Sequence, residues 1–444
     1  MRAGTLLALA LAAGLEAAAE PPRLVNYDEA KVGSAVPEDP LVADNGRRIA
    51  TAAEWPARRR EILALLEREE YGAWPPKPET LVVDETAGGT AFLGTARRRQ
   101  FSQYFRADRS GPRIDWMLLE PTGAKGPFPV VVILNYRGNQ ELLPDGDIPV
   151  MDAWVPARCV PKDARLPNRM DARSRGFMRW PLDIVLARGY AVLTACYQQI
   201  ATDAETKEMS VAEMRRNGCY RLWPEDQDTG ALIAWGWGLS RGLDLAERVE
   251  SLDATQAVAY GYSRLGKAAL LAAAFDERFK VSVPCQTGGG GVPLQKHNFG
   301  ENAYWMTRVF PHWFGKGYFK YDGNEQAMPF DQHFVLAAIA PRHVLVQSFD
   351  EDWYDPKGEY LACRAASPVW EFLGKPGLPA GEYPETLSTA RIGTHLGYVR
   401  RHGTHGISGY DWIWMLDFAD RALGRTGSTF EHGGTETRRK AGDR

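Results

Sequence analysis

The sequence has 444 residues, of which 25% are charged, and its formal net charge is −3 at neutral pH. So small a net charge excludes a global electrostatic preference for nucleic acid or for an anionic membrane surface. The hydrophobic content of 44% is typical of an ordinary soluble globular protein. Any charge-based recognition must therefore be local, and the length fits one elaborated α/β domain.

The N-terminus has the pattern of a signal peptide. Arg2 is followed by an apolar stretch from Leu6 to Leu15 and then by small residues before Glu20. One positive charge, a short apolar core and an A-x-A sequence are typical of export signals. No later stretch approaches the ~18 apolar residues that a membrane span needs. We therefore expect residues 1–19 to be a signal peptide and the mature protein to be soluble, secreted or periplasmic, with no membrane partner.

Short apolar, β-branched runs alternate with helical segments through the rest of the chain. Continuous runs of this kind are typical of buried parallel strands, and the helical segments 229–249 and 267–275 have apolar spacing or Ala- and Leu-rich composition. The sequence therefore predicts an α/β fold with a mostly parallel sheet flanked by helices. The predicted strands are 130–134, 191–197, 257–260, 281–283 and 344–347.

We expect a single catalytic domain over residues 20–424, followed by a polar and disordered tail over residues 425–444. Within the domain, residues 20–125 form an N-terminal elaboration with Pro-rich turns, and residues 138–178 form a long polar insertion. So long a connection is typical of a functional loop.

Cysteine and histidine spacing argues against a metal or redox centre. The five cysteines are widely spaced, which excludes a C-x-x-C motif and a dense disulfide framework and leaves any pairing open. The eight histidines include no H-E-x-x-H, so a zinc hydrolase has little support. We expect neither a metal ion nor an organic cofactor. The cysteines are Cys159, Cys196, Cys219, Cys285 and Cys363.

A strand, a turn and a helix are predicted around the sequence G-Y-S-R-L-G-K. A sharp turn here would expose the Ser263 hydroxyl above the sheet, which is the nucleophile elbow of α/β hydrolases. Gly261 lets the strand and helix approach closely, and the helix N-terminus directs free N–H groups at developing negative charge. Because Leu265 occupies the second glycine position of G-x-S-x-G, the pattern alone also fits a serine that caps an ordinary helix.

This heptapeptide resembles the G-x-S-R-x-G-K signature of the glucuronoyl esterases, carbohydrate esterase family 15, and the resemblance to bacterial members extends over most of the chain. It implies the α/β-hydrolase fold, a three-layer sandwich. It also implies that Arg264 reinforces the oxyanion hole and that Lys267 hydrogen-bonds uronic acid hydroxyls. A fixed cation beside the nucleophile stabilises the tetrahedral oxyanion more than the neutral ester, whereas on an ordinary helix both charges would be solvated.

The general base is expected near the C-terminus, because α/β hydrolases place serine, acid and histidine in that chain order. Three histidines compete there: His395, His402 and His405. The segment R-H-G-T-H resembles the family's R-x-G-x-H, which selects His405, with His395 as the fallback. The imidazole would take the Ser263 proton during attack and return it to the leaving alcohol.

The third member of a Ser–His–acid catalytic triad is the acid that pairs with the histidine. Members of the family that the chain resembles carry this acid at one of two positions. At the first, P-C-Q-T-G resembles P-Q-E-S-G, and Gln286 replaces the glutamate; a neutral amide can orient an imidazole but cannot stabilise imidazolium by charge. At the second, F-D-E-D-W-Y-D-P resembles bacterial members with an acid just before W-x-D-P. Asp352 matches best, and Asp350 and Glu351 remain alternatives. A loop without a catalytic role would instead be an acidic surface loop whose carboxylates are solvated.

Two further residues are predicted to bind the substrate by the same resemblance. Glu301 stands in a G-E segment whose glutamate contacts sugar hydroxyls, and Trp353 corresponds to a substrate-facing tryptophan. Carboxylate acceptors and an aromatic face suit a polyhydroxylated ring.

The resemblance implies hydrolysis of esters between 4-O-methyl-glucuronic (or glucuronic) acid of xylan and alcohols such as those of lignin, through an acyl-enzyme on Ser263. The substrates would be glucuronoxylan and lignin–carbohydrate esters, and we expect a monomer with no nucleic acid partner. One alternative is an acetyl xylan esterase, in which the sugar is the leaving alcohol. The other is a catalytically weak polysaccharide-binding protein, which is suggested by the neutral Gln286 at a position where the family has a glutamate.

Overall fold

Ten strands form one mixed sheet in the computed structural model, which describes residues 25–32, 37–143, 147–154, 180–384 and 391–425. The strands are β1 (Val82–Ala91), β2 (Ala96–Tyr104), β3 (Arg113–Pro121), β4 (Phe128–Asn135), β5 (Ala191–Cys196), β6 (Leu252–Tyr262), β7 (Val281–Cys285), β8 (His343–Phe349), β9 (Arg391–Ile392) and β10 (Leu396–Arg401). Their order across the sheet is β1-β2-β3-β5-β4-β6-β7-β8-β10-β9.

The centre of the sheet is parallel and its two edges are antiparallel. Neighbouring strands from β5 through β4, β6, β7 and β8 to β10 run in the same direction. The strands β1, β2 and β3 add an antiparallel edge on one side, and the short β9 adds one on the other. The mostly parallel sheet expected from the sequence is therefore confirmed.

Helices cover both faces of this sheet. They are α1 (Trp55–Leu66), α2 (Leu182–Ala187), α3 (Val211–Met214), α4 (Ala231–Ala246), α5 (Arg264–Phe275), α6 (Ala303–Val309), α7 (His333–Ala337), α8 (Pro356–Phe372) and α9 (Gly409–Ala422). Since successive side chains of a strand point to opposite faces, Val130 and Val132 of β4 share a core with α1, α4, α5, α7 and α8, whereas Val131 and Ile133 share one with α2 and α9. Two cores on opposite faces make the predicted three-layer sandwich.

The five predicted strands correspond to β4, β5, β6, β7 and β8. All eight residues of β4 and all sixteen of α4 are buried, which explains why these segments have no polar alternation. The sequence did not predict β1, β2 and β3 within the N-terminal elaboration. Strand β2 has the sequence A-R-R-R-Q-F-S-Q-Y, which contains no continuous apolar run, so the pattern used to predict buried strands does not detect it.

Several expectations fall on parts of the chain outside the described residues: the signal peptide, Cys159, most of the long insertion and the tail after residue 425. Within the described ranges no helix is long and apolar enough to cross a membrane. The same residues contain no group of three or more His, Cys, Asp or Glu side chains that could hold a metal ion. The described cysteines are buried free thiols: Cys196, Cys219, Cys285 and Cys363.

Candidate active site

The turn between β6 and α5 presents Ser263 at the carboxyl edge of the parallel strands. Ser263 has φ 58° and ψ −132°, a backbone conformation that a residue other than glycine adopts only under constraint. Its N–H donates to the Cys285 carbonyl at 2.8 Å, and its own carbonyl accepts from the N–H groups of Gly266 and Lys267 at 2.8 and 3.1 Å. These bonds hold the strained turn, as a nucleophile elbow requires.

Two glycines allow the close contacts of this turn. A Cβ on Gly261 would lie 2.0 Å from the Leu265 carbonyl oxygen, and one on Gly266 would lie 2.8 Å from that of Cys285. The close approach to β7 therefore falls one residue later than in G-x-S-x-G, which explains how Leu265 is tolerated in the turn.

His405 is the histidine that meets Ser263. Its Nε2 lies 3.0 Å from the Ser263 Oγ, within hydrogen-bonding distance for proton transfer. Of the competing histidines, His395 stacks on His343 at the opposite end of β10, with ring centroids 4.5 Å apart, and His402 is exposed beside Asp350.

Aromatic rings hold the His405 imidazole in place. Tyr354 stacks on it at a centroid distance of 4.1 Å and an angle of 13°, and Tyr262 lies 4.7 Å away on the nucleophile turn. Burial, together with the nearby cations Arg264 and Lys267, holds the pKa of His405 well below its ordinary value. The imidazole is therefore neutral at neutral pH, which is the state that a general base needs.

The acidic turn after β8 brings Glu351, rather than Asp352, to the histidine. Glu351 Oε2 accepts a hydrogen bond from the backbone N–H of His405 at 3.1 Å. Asp352 is exposed at the start of a 3-10 turn, and Asp350 pairs with Arg400 at 2.5 Å. Of the three carboxylates, only Glu351 hydrogen-bonds to a His405 atom within the described residues. The geometry therefore does not support the assignment of Asp352 as the acid.

The Nδ1 atom of His405 is buried and has no hydrogen-bond partner among the described residues. Glu351 thus touches the backbone of the histidine and not its ring. Burial raises the pKa of Glu351, as does the charge of Glu301, while the hydrogen bond from His405 lowers it.

Gln286 fastens the backbone beside the histidine. Its amide Nε2 donates to the Gly406 carbonyl at 3.0 Å, and its Oε1 accepts from the Gly406 N–H at 3.0 Å. The side chain is fully buried. The Gln286 amide therefore positions the backbone next to His405, whereas the sequence analysis considered it only as a partner of the imidazole.

The Arg264 guanidinium is fixed beside the nucleophile by a buried carboxylate. Its Nη1 donates to Asp203, and its guanidinium carbon lies 4.8 Å from the centre of the Trp313 ring. Asp203 also accepts hydrogen bonds from His312 Nε2 at 2.8 Å, Trp313 Nε1 at 2.9 Å and the Tyr197 hydroxyl at 2.9 Å.

The two charges of this pair stabilise each other. Burial alone would raise the pKa of Asp203, but the charge of Arg264 and the hydrogen bond from His312 hold it well below its ordinary value. Burial alone would likewise lower the pKa of Arg264, but Asp203 raises it. Sequence reasoning missed Asp203, because a single aspartate in a loop 61 residues before Arg264 carries no local signal.

The three predicted binding residues lie in one cluster. Lys267 Nζ is 3.6 Å from Glu301 Oε2, and Trp353 Nε1 donates to Glu301 Oε1 at 3.0 Å. Lys267 is only 2% exposed, and its burial lowers its pKa while Glu301 raises it. Trp313, which the sequence analysis left out of the site, lies under both Arg264 and Lys267. The cluster thus offers a cation, a carboxylate and an indole next to the nucleophile turn.

Comparisons with known proteins identify the family of this chain. The family model for fungal glucuronyl esterases matches residues 175–374. Carbohydrate esterase MZ0003, from an unidentified prokaryotic organism, is 34% identical over 406 residues, which cover 90% of this chain and 93% of that protein. The 4-O-methyl-glucuronoyl methylesterase of Podospora anserina is 26% identical over 347 residues, and the match spans 76% of this chain but only 60% of that protein.

Solved structures give the same result. A promiscuous CE15 esterase from a marine bacterial metagenome superposes with a TM-score of 0.80 at 32% identity, covering 90% of this chain and 100% of that one. The glucuronoyl esterase of Solibacter usitatus superposes with a TM-score of 0.79 at 33% identity, covering 88% and 99% of the two chains. The α/β-hydrolase fold and the predicted family are both confirmed: this chain belongs to carbohydrate esterase family 15, the glucuronoyl esterases, and is of the bacterial type.

Proposed function

We propose that this chain hydrolyses esters that join the carboxyl group of 4-O-methyl-glucuronic or glucuronic acid, as carried on xylan, to an alcohol such as those of lignin. The observation that carries the proposal is a single arrangement: the Ser263–His405 pair lies beside a buried cation–carboxylate pair, Lys267 and Glu301. A nucleophile with its base performs acyl transfer, and fixed polar groups beside it suit a hydroxylated acyl group.

The proposed reaction has two steps, formation and hydrolysis of an acyl-enzyme. Ser263 Oγ bonds to the uronate carbonyl carbon, its proton passes to His405 Nε2, and the carbonyl π electrons move to the oxygen. When the tetrahedral intermediate collapses, the alcohol leaves with that proton and the uronoyl group remains on Ser263. Water, deprotonated by His405, then attacks the acyl-enzyme and releases the uronic acid and Ser263.

Arg264 supports the charged intermediate in this reaction. The guanidinium is already charged and oriented by Asp203, so little reorganisation is needed when negative charge appears on the carbonyl oxygen. The N-terminus of α5 adds backbone N–H groups beside Ser263.

His405 depends on neighbours that hold its backbone. Glu351 binds its N–H and Gln286 binds Gly406 after it. We assign both as positioning residues, and we assign Glu351 in place of Asp352 as the acid that faces His405.

We assign the substrate contacts to the cluster of Lys267, Glu301 and Trp353. Lys267 would donate to hydroxyls of the uronic acid, Glu301 would accept from them, and the Trp353 indole would cover a sugar face. Glu301 already binds Trp353 Nε1 and the Gly289 N–H, so its orientation is set before a substrate arrives.

We further propose that residues 20–424 form a single catalytic domain that acts as a monomer outside the cytoplasm after removal of residues 1–19. The continuous sheet, which runs from β1 to β10 without a division, supports one domain. The apolar N-terminal stretch before Glu20 supports export.

Hydrolysis of benzyl D-glucuronate by the wild type and by Ser263→Ala tests the proposal, with an acetylated xylooligosaccharide assayed in parallel. Cleavage of the uronate ester that disappears in Ser263→Ala is the expected result. Cleavage of the acetyl ester alone would instead indicate an acetyl xylan esterase. Binding of glucuronoxylan without turnover of either ester would indicate a polysaccharide-binding protein.

A further inference from the structure

Tyr136 reaches the nucleophile turn from a neighbouring strand. It directly follows β4, which pairs in parallel with β6 through Ile133 and Tyr260. The turn after β4 is held by the buried Asn135, whose side chain accepts from the Gly138 N–H at 2.7 Å and donates to the Asn139 side chain at 2.8 Å. The backbone that carries Tyr136 is therefore fixed.

The Tyr136 hydroxyl ends at the peptide that precedes Ser263. It donates to the Tyr262 carbonyl at 2.7 Å, and its ring packs at 5.4 Å from Tyr197 and 5.9 Å from Tyr262. Burial raises the pKa of the phenol, against the opposing influences of the Arg264 charge and of hydrogen bonding from Ser263 and Leu265. The phenol therefore keeps its proton at neutral pH and remains a hydrogen-bond donor.

The position of this donor matches a need of the reaction. In the nucleophile-elbow arrangement, one oxyanion donor is the backbone N–H after the nucleophile and the second is a backbone N–H of the loop after a neighbouring strand. Here that loop follows β4 and carries a phenol to the turn. The other side-chain donor, Arg264, has its Nη1 on Asp203 and its Nε without a hydrogen-bond partner among the described residues, so the phenol would act beside the guanidinium and not in its place.

We propose that the Tyr136 hydroxyl is a catalytic residue that donates a hydrogen bond to the oxyanion of the tetrahedral intermediate, an inference that rests on the acyl transfer at Ser263 proposed above. As Ser263 Oγ bonds to the carbonyl carbon and the π electrons move to the oxygen, the phenolic O–H turns from the Tyr262 carbonyl toward that oxygen. No proton leaves the phenol. The bond is made only when the charge develops, so it lowers the barrier without tightening substrate binding.

The variant Tyr136→Phe tests this role, with Tyr190→Phe as a matched control. Tyr190 is also buried and donates to Asp420 at 2.7 Å, on the face of the sheet covered by α9. Removing one oxyanion donor typically lowers kcat by about 10². We expect such a loss of kcat in Tyr136→Phe with an unchanged KM, and wild-type kcat in Tyr190→Phe, with benzyl D-glucuronate as substrate.

Two readouts separate an oxyanion donor from a residue that only shapes the turn. A displaced Ser263 would alter its bond to His405, so a change in KM, or in the pH midpoint of the acidic limb of kcat/KM, would contradict the proposal. A loss of kcat smaller than about tenfold would also overturn it.

Hydrolysis of 4-nitrophenyl acetate, measured on the same variants, keeps this test independent of the substrate assignment. If the wild type cleaves only the acetate, the uronate proposal fails, while a selective loss of kcat on acetate in Tyr136→Phe still supports the oxyanion role. If the wild type cleaves neither ester, both proposals fail.

Discussion

The side chains on the two sides of Ser263 differ in the hydrogen bonds that hold them in place. On the cation side, which comprises Arg264, Asp203, His312 and Trp313, side chains bond directly to one another around a buried carboxylate. The histidine side comprises His405, Glu351, Gln286 and Gly406. Here the side chains of Glu351 and Gln286 hydrogen-bond to the backbone of His405 and Gly406, and the imidazole is held by stacked aromatic rings.

This difference separates two tasks of the site. A buried cation stabilises an oxyanion best when it is fixed in advance, because moving a buried charge during the reaction would cost energy. A base requires the correct orientation and protonation state, which packing and a lowered pKa supply for a neutral imidazole. We therefore expect substitutions on the cation side to lower both the free energy of unfolding and turnover, and those on the histidine side to lower turnover with a smaller loss of unfolding free energy.

The largest effect is expected for Asp203→Ala. Removing the carboxylate leaves the mostly buried Arg264 guanidinium without its counter-charge, and breaking a buried ion pair in this way typically costs about 3–5 kcal/mol of unfolding free energy. Chemical denaturation would measure this loss, and kcat would fall because Arg264 is no longer oriented. The control Asp84→Ala removes a carboxylate that binds Arg109 in an exposed pair. Equal losses of unfolding free energy in the two variants would show that the Asp203–Arg264 pair stabilises the fold no more than an ordinary surface pair.

The second prediction separates the carboxylates of the histidine side. We expect Glu351→Gln to lower kcat by about tenfold, because the charge that faces His405 is lost while a hydrogen-bond acceptor remains. The matched variant Asp352→Asn should retain kcat within about twofold, because that side chain is exposed. Steady-state kinetics of both variants would test this order, and a larger loss in Asp352→Asn would restore the assignment made from the sequence.

Gln286→Ala tests whether the neutral amide matters for alignment. Deleting the side chain leaves the Gly406 N–H and C=O without their partner, which typically costs about 1–3 kcal/mol where the groups stay buried. The sequence analysis favoured Asp352 over Gln286 as the partner of the histidine; from the geometry we expect Gln286→Ala to lower kcat more than Asp352→Asn does. If kcat is unchanged while the melting temperature falls, the amide stabilises the fold without aligning His405.

The sequence was informative where chemistry is local and less so where loops meet. The pairing of Ser263 with His405, whose Oγ and Nε2 lie 3.0 Å apart, could be predicted because a turn motif and a chain order constrain both residues. Strands such as β4 could be predicted because every residue is buried. The choice between Asp352 and Glu351 depends on how the chain turns after β8, where adjacent residues point in different directions. Asp203 could not be found, because its partners come from three separate segments of the chain.

The smallest effect is expected in the pH dependence, which tests the state of the base. Because burial and nearby cations lower the pKa of His405 below its ordinary value of 6.5, the imidazole stays unprotonated as the pH falls through that value. Activity is lost only when protonation removes the base, so the midpoint of the acidic limb of kcat/KM should lie below 6.5. Lys267→Met removes one of the cations and should move this midpoint upward, whereas Lys320→Met, remote from His405 and paired with Glu69, should leave it unchanged. A midpoint at or above 6.5 in the wild type would contradict a lowered pKa of His405 and would mean that a nearby negative charge stabilises the imidazolium. Glu351→Gln, which removes such a charge, would then shift the midpoint downward.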